Sequence, residues 1–227
     1  MCGECGCAGE SRTIVLAQKV LAKNDHLAGH NRAWLAERGA VMVNLMSSPG
    51  AGKTTLLESS ARALAGRLQL GVIEGDQETA LDADRITAVG CAVVQINTGT
   101  GCHLDAQMVA NALARLNPAA GSLVVVENVG NLVCPALFDL GEAARIVLAC
   151  VTEGGDKPMK YPHMFRQADL VLVTKTDLTP YVDFDLDRYA ADVRLINPAA
   201  RLMPVSAKTG EGLASWCEWL LRLPVPG

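Results

Sequence analysis

Aromatic side chains are scarce in this sequence: Trp, Tyr and Phe occur three times each and make up 4% of its 227 residues. The apolar mass lies instead in Ala, Val and Leu, which suits parallel strands covered by helices better than an aromatic-rich β-sandwich. Charge is also thin, at 19%, with a net of −4 and no run of Lys or Arg. The electrostatic footprint of a nucleic-acid binder is therefore missing. The longest apolar runs, such as Leu123–Val126 and Leu170–Val173, fall far short of the roughly 20 residues that span a bilayer. The first ten residues are polar, Cys- and Gly-rich, without the apolar stretch of a signal peptide. Together these absences imply a soluble, cytoplasmic chain with no nucleic-acid and no membrane partner. What is present is a core: half the residues are hydrophobic, too many for a mainly disordered protein.

Eight cysteines in a chain with a full core and no export signal read as metal ligands or buried thiols rather than as a disulfide scaffold. Cys91, Cys150 and Cys217 sit in apolar patterns and belong to the core. The others cluster at the start (Cys2, Cys5, Cys7) or stand beside polar loops (Cys102, Cys134). The spacing predicts a flexible Cys-rich tail over 1–11 and an N-terminal helical segment over 12–39, one or two helices stopped by Gly39. An α/β domain follows over 40–227. There, short apolar runs at about 41–46, 71–75, 92–96, 122–127, 145–151, 169–174 and 202–205 alternate with helical patterns. That alternation implies βαβ crossovers and a mostly parallel central sheet with helices on both faces, so ligands are expected at the carboxyl ends of the strands.

The strongest motif is SSPGAGKTT at 47–55, between a strand and a helix. A phosphate-binding loop needs small residues so that backbone N–H groups converge on phosphate oxygens. It also needs a Lys for the outer phosphates and a hydroxyl for Mg²⁺. Gly50, Ala51, Gly52, Lys53, Thr54 and Thr55 satisfy this, although Ser47 replaces the usual first Gly. The base follows from TKTD at 174–177 and SAK at 206–208. Asp177 can accept from the N1–H and N2–H₂ of guanine, whereas adenine would leave it unpaired. The Lys175 stem would lie across the base, and Ser206, Ala207 and Lys208 follow the next strand, placed to offer an N–H to guanine O6.

Strand-end acids supply the remaining phosphate chemistry. Asp76 ends GVIEGD and can hold Mg²⁺ through water or orient an attacking water. Glu127 ends LVVVE and can take part in Mg²⁺ binding, and the Gly130 N–H can sense the γ-phosphate. Cys102-His103 is expected to open the helix LDAQMVANALARL after the loop over 97–101, and Cys134 lies four residues past Gly130; these two thiols and an imidazole, on the loops expected around that phosphate, suit Zn²⁺ or Ni²⁺. Cys2, Cys5 and Cys7 with the terminal amine make an S₃N donor set, and square-planar N/S ligation favours Ni²⁺. The DFDLD run at 183–187 fails as an EF-hand, because Arg188 stands where Gly is required and Arg194 where Glu is required. GTGCHL lacks the third Gly of a dinucleotide fingerprint. His26 and His30 are one helical turn apart, a common coincidence.

Beyond the single motifs, a series of strings runs in order across nearly the whole chain: CGECGC, Asn24-Asp25 with Asn31-Arg32, NLMSSPGAGKTTLLE, EGDQETALDADRI, QINTGTGCHLDA, ENVGNLVCP, VTEGGDKPMKYP, TKTDL and SAKTGEG. In these strings the sequence resembles the hydrogenase maturation GTPases that help insert nickel, the HypB family. The resemblance implies a P-loop GTPase that turns GTP into GDP and phosphate and forms a homodimer favoured by GTP. It implies a high-affinity nickel site at Cys2, Cys5, Cys7 and the terminal amine. A second, nucleotide-sensitive site for nickel or zinc would lie at Cys102, His103 and Cys134, near the dimer contact. The implied partners are the nickel metallochaperone HypA and the large subunit of a nickel–iron hydrogenase. Some relatives carry a long His-rich tract after the Cys motif; this chain has none, which favours delivery over storage.

Three rival readings have specific signatures. A P-loop small-molecule kinase would explain the phosphate loop but neither the guanine signals nor the thiols. A metal-storage or redox sensor would leave the GTPase parts idle. A urease-type nickel GTPase pairs Cys-Pro-His, whereas Ala136 follows Cys134-Pro135 here.

Overall fold

A computed structural model describes residues 7–76 and 81–223, and in residues 7–17, 76 and 81 the backbone only. The described residues open with α1 (Cys7–Glu37), followed by β1 (Val41–Ser47), α2 (Lys53–Leu64), β2 (Leu70–Asp76), α3 (Leu81–Ala88) and β3 (Ala92–Asn97). It continues with α4 (Ala106–Leu116), β4 (Leu123–Glu127), β5 (Ala144–Cys150), α5 (Lys157–Lys160), α6 (Pro162–Arg166) and β6 (Leu170–Thr174). The last elements are α7 (Leu186–Ile196), β7 (Arg201–Val205) and α8 (Leu213–Leu221). The seven strands form one sheet in the order β3-β2-β4-β1-β5-β6-β7, and every pairing is parallel. The fold is that of a P-loop NTPase, with the sheet expected to be mostly parallel proving wholly so.

Strand periodicity divides the core between the two faces. Val41, Val43 and Leu45 of β1 join Leu56, Leu57 and Leu64 of α2 and Trp216, Cys217 and Leu220 of α8. Met42 points the other way, into a cluster with Leu35 of α1 and Val109, Ala112 and Leu113 of α4. Met46 packs beside it among Met164 and Phe165 of α6 and Tyr189 and Val193 of α7. The central strands are buried on both faces, hence their largely apolar runs.

The N-terminal rhythm is one helix rather than two, and Gly39 closes it at φ 62 with its N–H donated to the Ala36 carbonyl at 2.9 Å. The expectation that Cys102-His103 opens a helix is corrected: α4 begins at Ala106, because Asp105 is its N-cap and accepts from the Met108 N–H. Both ligand candidates therefore stand in the loop before it. The short helices α5 and α6 are too brief to show a periodicity, and each starts with a Pro in its first turn.

Ile146 lies fully buried at the centre of β5, so Ile146→Ala should cost about 2–5 kcal/mol. Denaturant unfolding measures it, and a loss below 1 kcal/mol (~) would mean that the core collapses to fill the space.

Candidate functional site

The phosphate loop joins the carboxyl end of β1 to α2. Its turn needs left-handed backbone at Gly50 (φ 75) and Gly52 (φ 93), conformations that only glycine adopts without strain. Gly52 is also the N-cap of α2, so the first N–H groups of that helix face the loop. Ser47 takes the position of the usual Gly by turning its hydroxyl to good use. The Lys53 ammonium donates to Ser47 Oγ at 2.9 Å, and that hydroxyl donates to the Ser48 carbonyl at 2.6 Å. The loop borders a cleft of about 490 Å³ that is also lined by Glu74, Asp82, Arg85, Glu127 and Gly130.

Strand pairing builds the acidic wall of this cleft. Glu74 on β2 is in register with Glu127 on β4, so two carboxyl groups stand side by side on one face. Both are nearly inaccessible, at 2% and 4% exposure, and each keeps one oxygen, Oε2, without a hydrogen-bond partner. Thr54 Oγ1 donates to Glu127 Oε1 at 2.9 Å. Burial, reinforced by the neighbouring Glu127, pushes Glu74 up to about 10. Burial raises Glu127 too, against the pull of the Lys53 charge. Ligand oxygens of Glu74, Asp82 and Glu127 come within 4.8 Å of one another, an all-oxygen donor set that fits a hard divalent cation.

A second cavity, of about 230 Å³, opens beyond the loop between the ends of β6 and β7 and is lined by Lys175, Asp177, Ala207 and Lys208. Ser206 Oγ donates to Asp177 Oδ1 at 2.6 Å and so aims the carboxylate. Its own N–H is taken by the Glu211 carbonyl at 2.9 Å, which leaves Ala207 and Lys208 as the backbone lining the cavity. Lys175 adopts φ 57 and donates from Nζ to the Gly50 carbonyl at 2.8 Å, tying this cavity to the phosphate loop.

The thiol cluster forms on the neighbouring loops. Cys102 Sγ lies 2.9 Å from Cys134 Sγ and 3.6 Å from His103 Nδ1, and the three ligand atoms fit within 4.8 Å. The His103 ring stacks on Phe138 at 3.9 Å. Burial lowers its affinity for a proton, against the charge of Asp105, which favours the neutral imidazole a metal needs. Contact with Cys102, more than burial, raises the Cys134 thiol. The link to the phosphate loop is steric. A Cβ on Gly130 would meet Pro49 Cγ at 2.9 Å and Pro49 N at 3.0 Å, so the chain four residues before Cys134 rests directly on the loop.

Cys2 and Cys5 lie outside the described residues, as do the side chains of Cys7 and Asp76. Beside the expected Asp76, Glu74 two positions earlier on the same strand lines the cleft, a role its sequence context did not reveal. The same holds for Asp82 and Arg85 in the cleft and for the contact of Ser48 Oγ with Glu153 Oε2. The period of two already put Glu74 on the face shared with Asp76, but its pairing with Glu127 required the strand order.

The CobW/HypB/UreG nucleotide-binding domain matches residues 41–204. The hydrogenase maturation factor HypB of Azotobacter vinelandii is 53% identical over 213 residues, covering 94% of this chain and 70% of that protein. The crystal structure of HypB from Archaeoglobus fulgidus is similar with a TM-score of 0.82 and 40% identity, over 88% of this chain and 97% of that one. HypB from Helicobacter pylori, solved in complex with nickel, gives 0.83 and 39% over 88% and 94%.

The carboxyl pair has a pH consequence. The unfolded chain releases the Glu74 proton near 4.5 and the folded one near 10, so between these values the native state holds the extra proton and stability falls as pH rises. In nucleotide- and metal-free protein, Glu74→Gln should remove that fall, gaining on the order of 2 kcal/mol at pH 8 and nothing at pH 4. Denaturant unfolding at the two pH values checks this, and an unchanged pH slope in the variant would assign the dependence to other groups.

Proposed function

The chain belongs to the HypB branch of the CobW/HypB/UreG family, and from that premise we propose a nickel-handling GTPase of hydrogenase maturation. GTP is bound by the phosphate loop over 50–55, with the base read by Lys175, Asp177 and the 206–208 segment. The amides of Gly50, Ala51 and Gly52 and the first turn of α2 hold the phosphate oxygens. The Lys53 ammonium, poised on Ser47, moves to the outer phosphates. Thr54, Glu127 and Asp76 are the residues that would hold Mg²⁺, with Glu74 beside them. The unpartnered Glu127 Oε2 next to the Thr54 hydroxyl supports this. When bound, the ion neutralises charge on the β- and γ-phosphates. Asp76 orients the attacking water, and Gly130 reads the γ-phosphate through its N–H.

Nickel is the cargo. Cys2, Cys5, Cys7 and the terminal amine form the outer donor set. Cys102, His103 and Cys134 form the inner one, whose thiol and imidazole donors suit nickel or zinc. The observation that carries the reading is the contact of Gly130 with Pro49: a loop that moves with the γ-phosphate must move the segment ending in Cys134. Hydrolysis to GDP then alters the inner site, and the metal passes through a GTP-favoured homodimer, with HypA as partner, to the hydrogenase large subunit.

Nickel titrated into the GDP form and into the form with a non-hydrolysable GTP analogue should give affinities at least fivefold (~) apart; equal affinities would remove the coupling. Asp177→Asn exchanges a double acceptor for a mixed amide, so GTP affinity should fall about a hundredfold while xanthosine triphosphate, with a carbonyl in place of the 2-amino group, gains. Competition binding with both nucleotides measures the exchange, and unchanged GTP affinity would take Asp177 out of base recognition.

A further inference from the structure

Two asparagines of α1 have no part in the chemistry above, yet their surroundings are unusual. Asn24 and Asn31 are 5% and 4% exposed, and buried amides are tolerated only when hydrogen-bonded. Both spend their bonds on Ala106, the first residue of α4, and on the loop at 139–140. Asn24 Oδ1 accepts from the Ala106 N–H at 2.9 Å, and its Nδ2 donates to the Asp139 carbonyl at 2.8 Å. Asn31 Nδ2 donates to the Ala106 carbonyl at 2.8 Å and to the Leu140 carbonyl at 2.9 Å. Ala106 stands just past His103, and Asp139 and Leu140 stand just past the turn that carries Cys134. Each amide therefore joins the start of α4, where the loop bearing Cys102 and His103 ends, to the loop that follows Cys134.

The surrounding contacts hold the same arrangement. Gly141 has φ +93, and a Cβ there would meet the Ala28 carbonyl at 2.6 Å and Asn31 Cβ at 2.7 Å, so α1 lies on the bare loop backbone. Arg32 closes the contact from the solvent side with two 3.0 Å bonds to Asp139. From the sheet side, Asn128 Oδ1 accepts from the Leu104 N–H at 3.3 Å. Leu or Ala would suffice at 24 and 31 if α1 had only to pack. Amides are needed where loop backbone must be held in place.

We propose that Asn24 and Asn31 are positioning residues for the Cys102–His103–Cys134 site, and that α1 is a splint keeping the two ligand loops at ligand spacing. The inference rests on the reading of those three residues as a metal site. Its physical basis is preorganisation: loops already fixed at the right distance lose less conformational freedom when a metal joins them.

The test uses the full chain with Cys2, Cys5 and Cys7 replaced by Ser, so that only the inner donors remain. Nickel binding is followed by thiolate-to-nickel charge-transfer absorption against a competing chelator, and Cys134→Ala identifies the inner-site signal by its loss. In this background Asn31→Ala, which removes both donated bonds, should weaken nickel binding about tenfold or more and alter the band. Asn24→Asp keeps the acceptor for Ala106 and loses the bond to Asp139, so its loss should be smaller. GDP affinity, measured on the same samples, reports an intact domain, and Asn24→Asp decides the matter if Asn31→Ala does not fold. Nickel affinity and band equal to the parent in both variants would overturn the splint. A parent without any Cys134-dependent signal would instead overturn the metal site itself, and the splint with it.

Discussion

The parallel pairing of β1 with β4 is the contact on which the site depends. It brings the phosphate loop that follows β1 beside the segment 128–134 that follows β4. Three further contacts come from that one alignment: Thr54 reaches Glu127, Gly130 lies on Pro49, and Asn128 Nδ2 donates to Asn44 Oδ1 at 3.2 Å inside the sheet. A slip of one residue would turn Glu127 to the opposite face and break all of them. Strands buried on both faces by large apolar side chains make such a slip costly, so hydrophobic packing far from the nucleotide fixes the geometry at the phosphate.

The same alignment concentrates polar groups where burial penalises them. Asn44 is fully buried, Asn128 and Glu142 nearly so. They are tolerated because they form a chain: Asn44 Nδ2 approaches Glu142 Oε1 at 3.5 Å, and Glu142 accepts from the Leu140 N–H at 2.7 Å and from Arg145 Nε at 2.7 Å. Such a chain holds loop backbone in one arrangement more firmly than apolar packing can, since every broken bond strands a buried group. The Glu74–Glu127 pair differs in retaining unpartnered oxygens. The first arrangement is satisfied within the protein, whereas the second leaves two buried carboxyl oxygens without a partner.

Much of this was legible in the sequence where partners are close along the chain. SSPGAGKTT places its glycines, lysine and hydroxyl within one turn of each other, so spacing alone gives its geometry. The strands of the sheet were readable from apolar runs, and its mostly parallel order from the helical patterns between most of them. The pairing of Glu74 with Glu127 was not readable, because it depends on which strands are neighbours. Asn24 and Asn31 stood out only as part of a resemblance, since their partners lie 75 to 115 positions away. The start of α4 was misjudged for a local reason: Asp105 caps the helix and leaves Cys102 and His103 outside it.

One sheet edge thus carries two donor sets of opposite chemical character. Glu74, Asp82 and Glu127 offer oxygen alone, whereas Cys102, His103 and Cys134 offer sulfur and nitrogen. A small, hard, strongly hydrated cation prefers the first, and nickel or zinc the second. In the proposed function, this separation by donor type keeps nickel at the thiols and the nucleotide's own cation at the carboxylates. The short stretch from Gly130 to Cys134 then serves two purposes at once. It stands between the two donor sets, and in the proposed function it carries to the softer one a movement that begins at the phosphate.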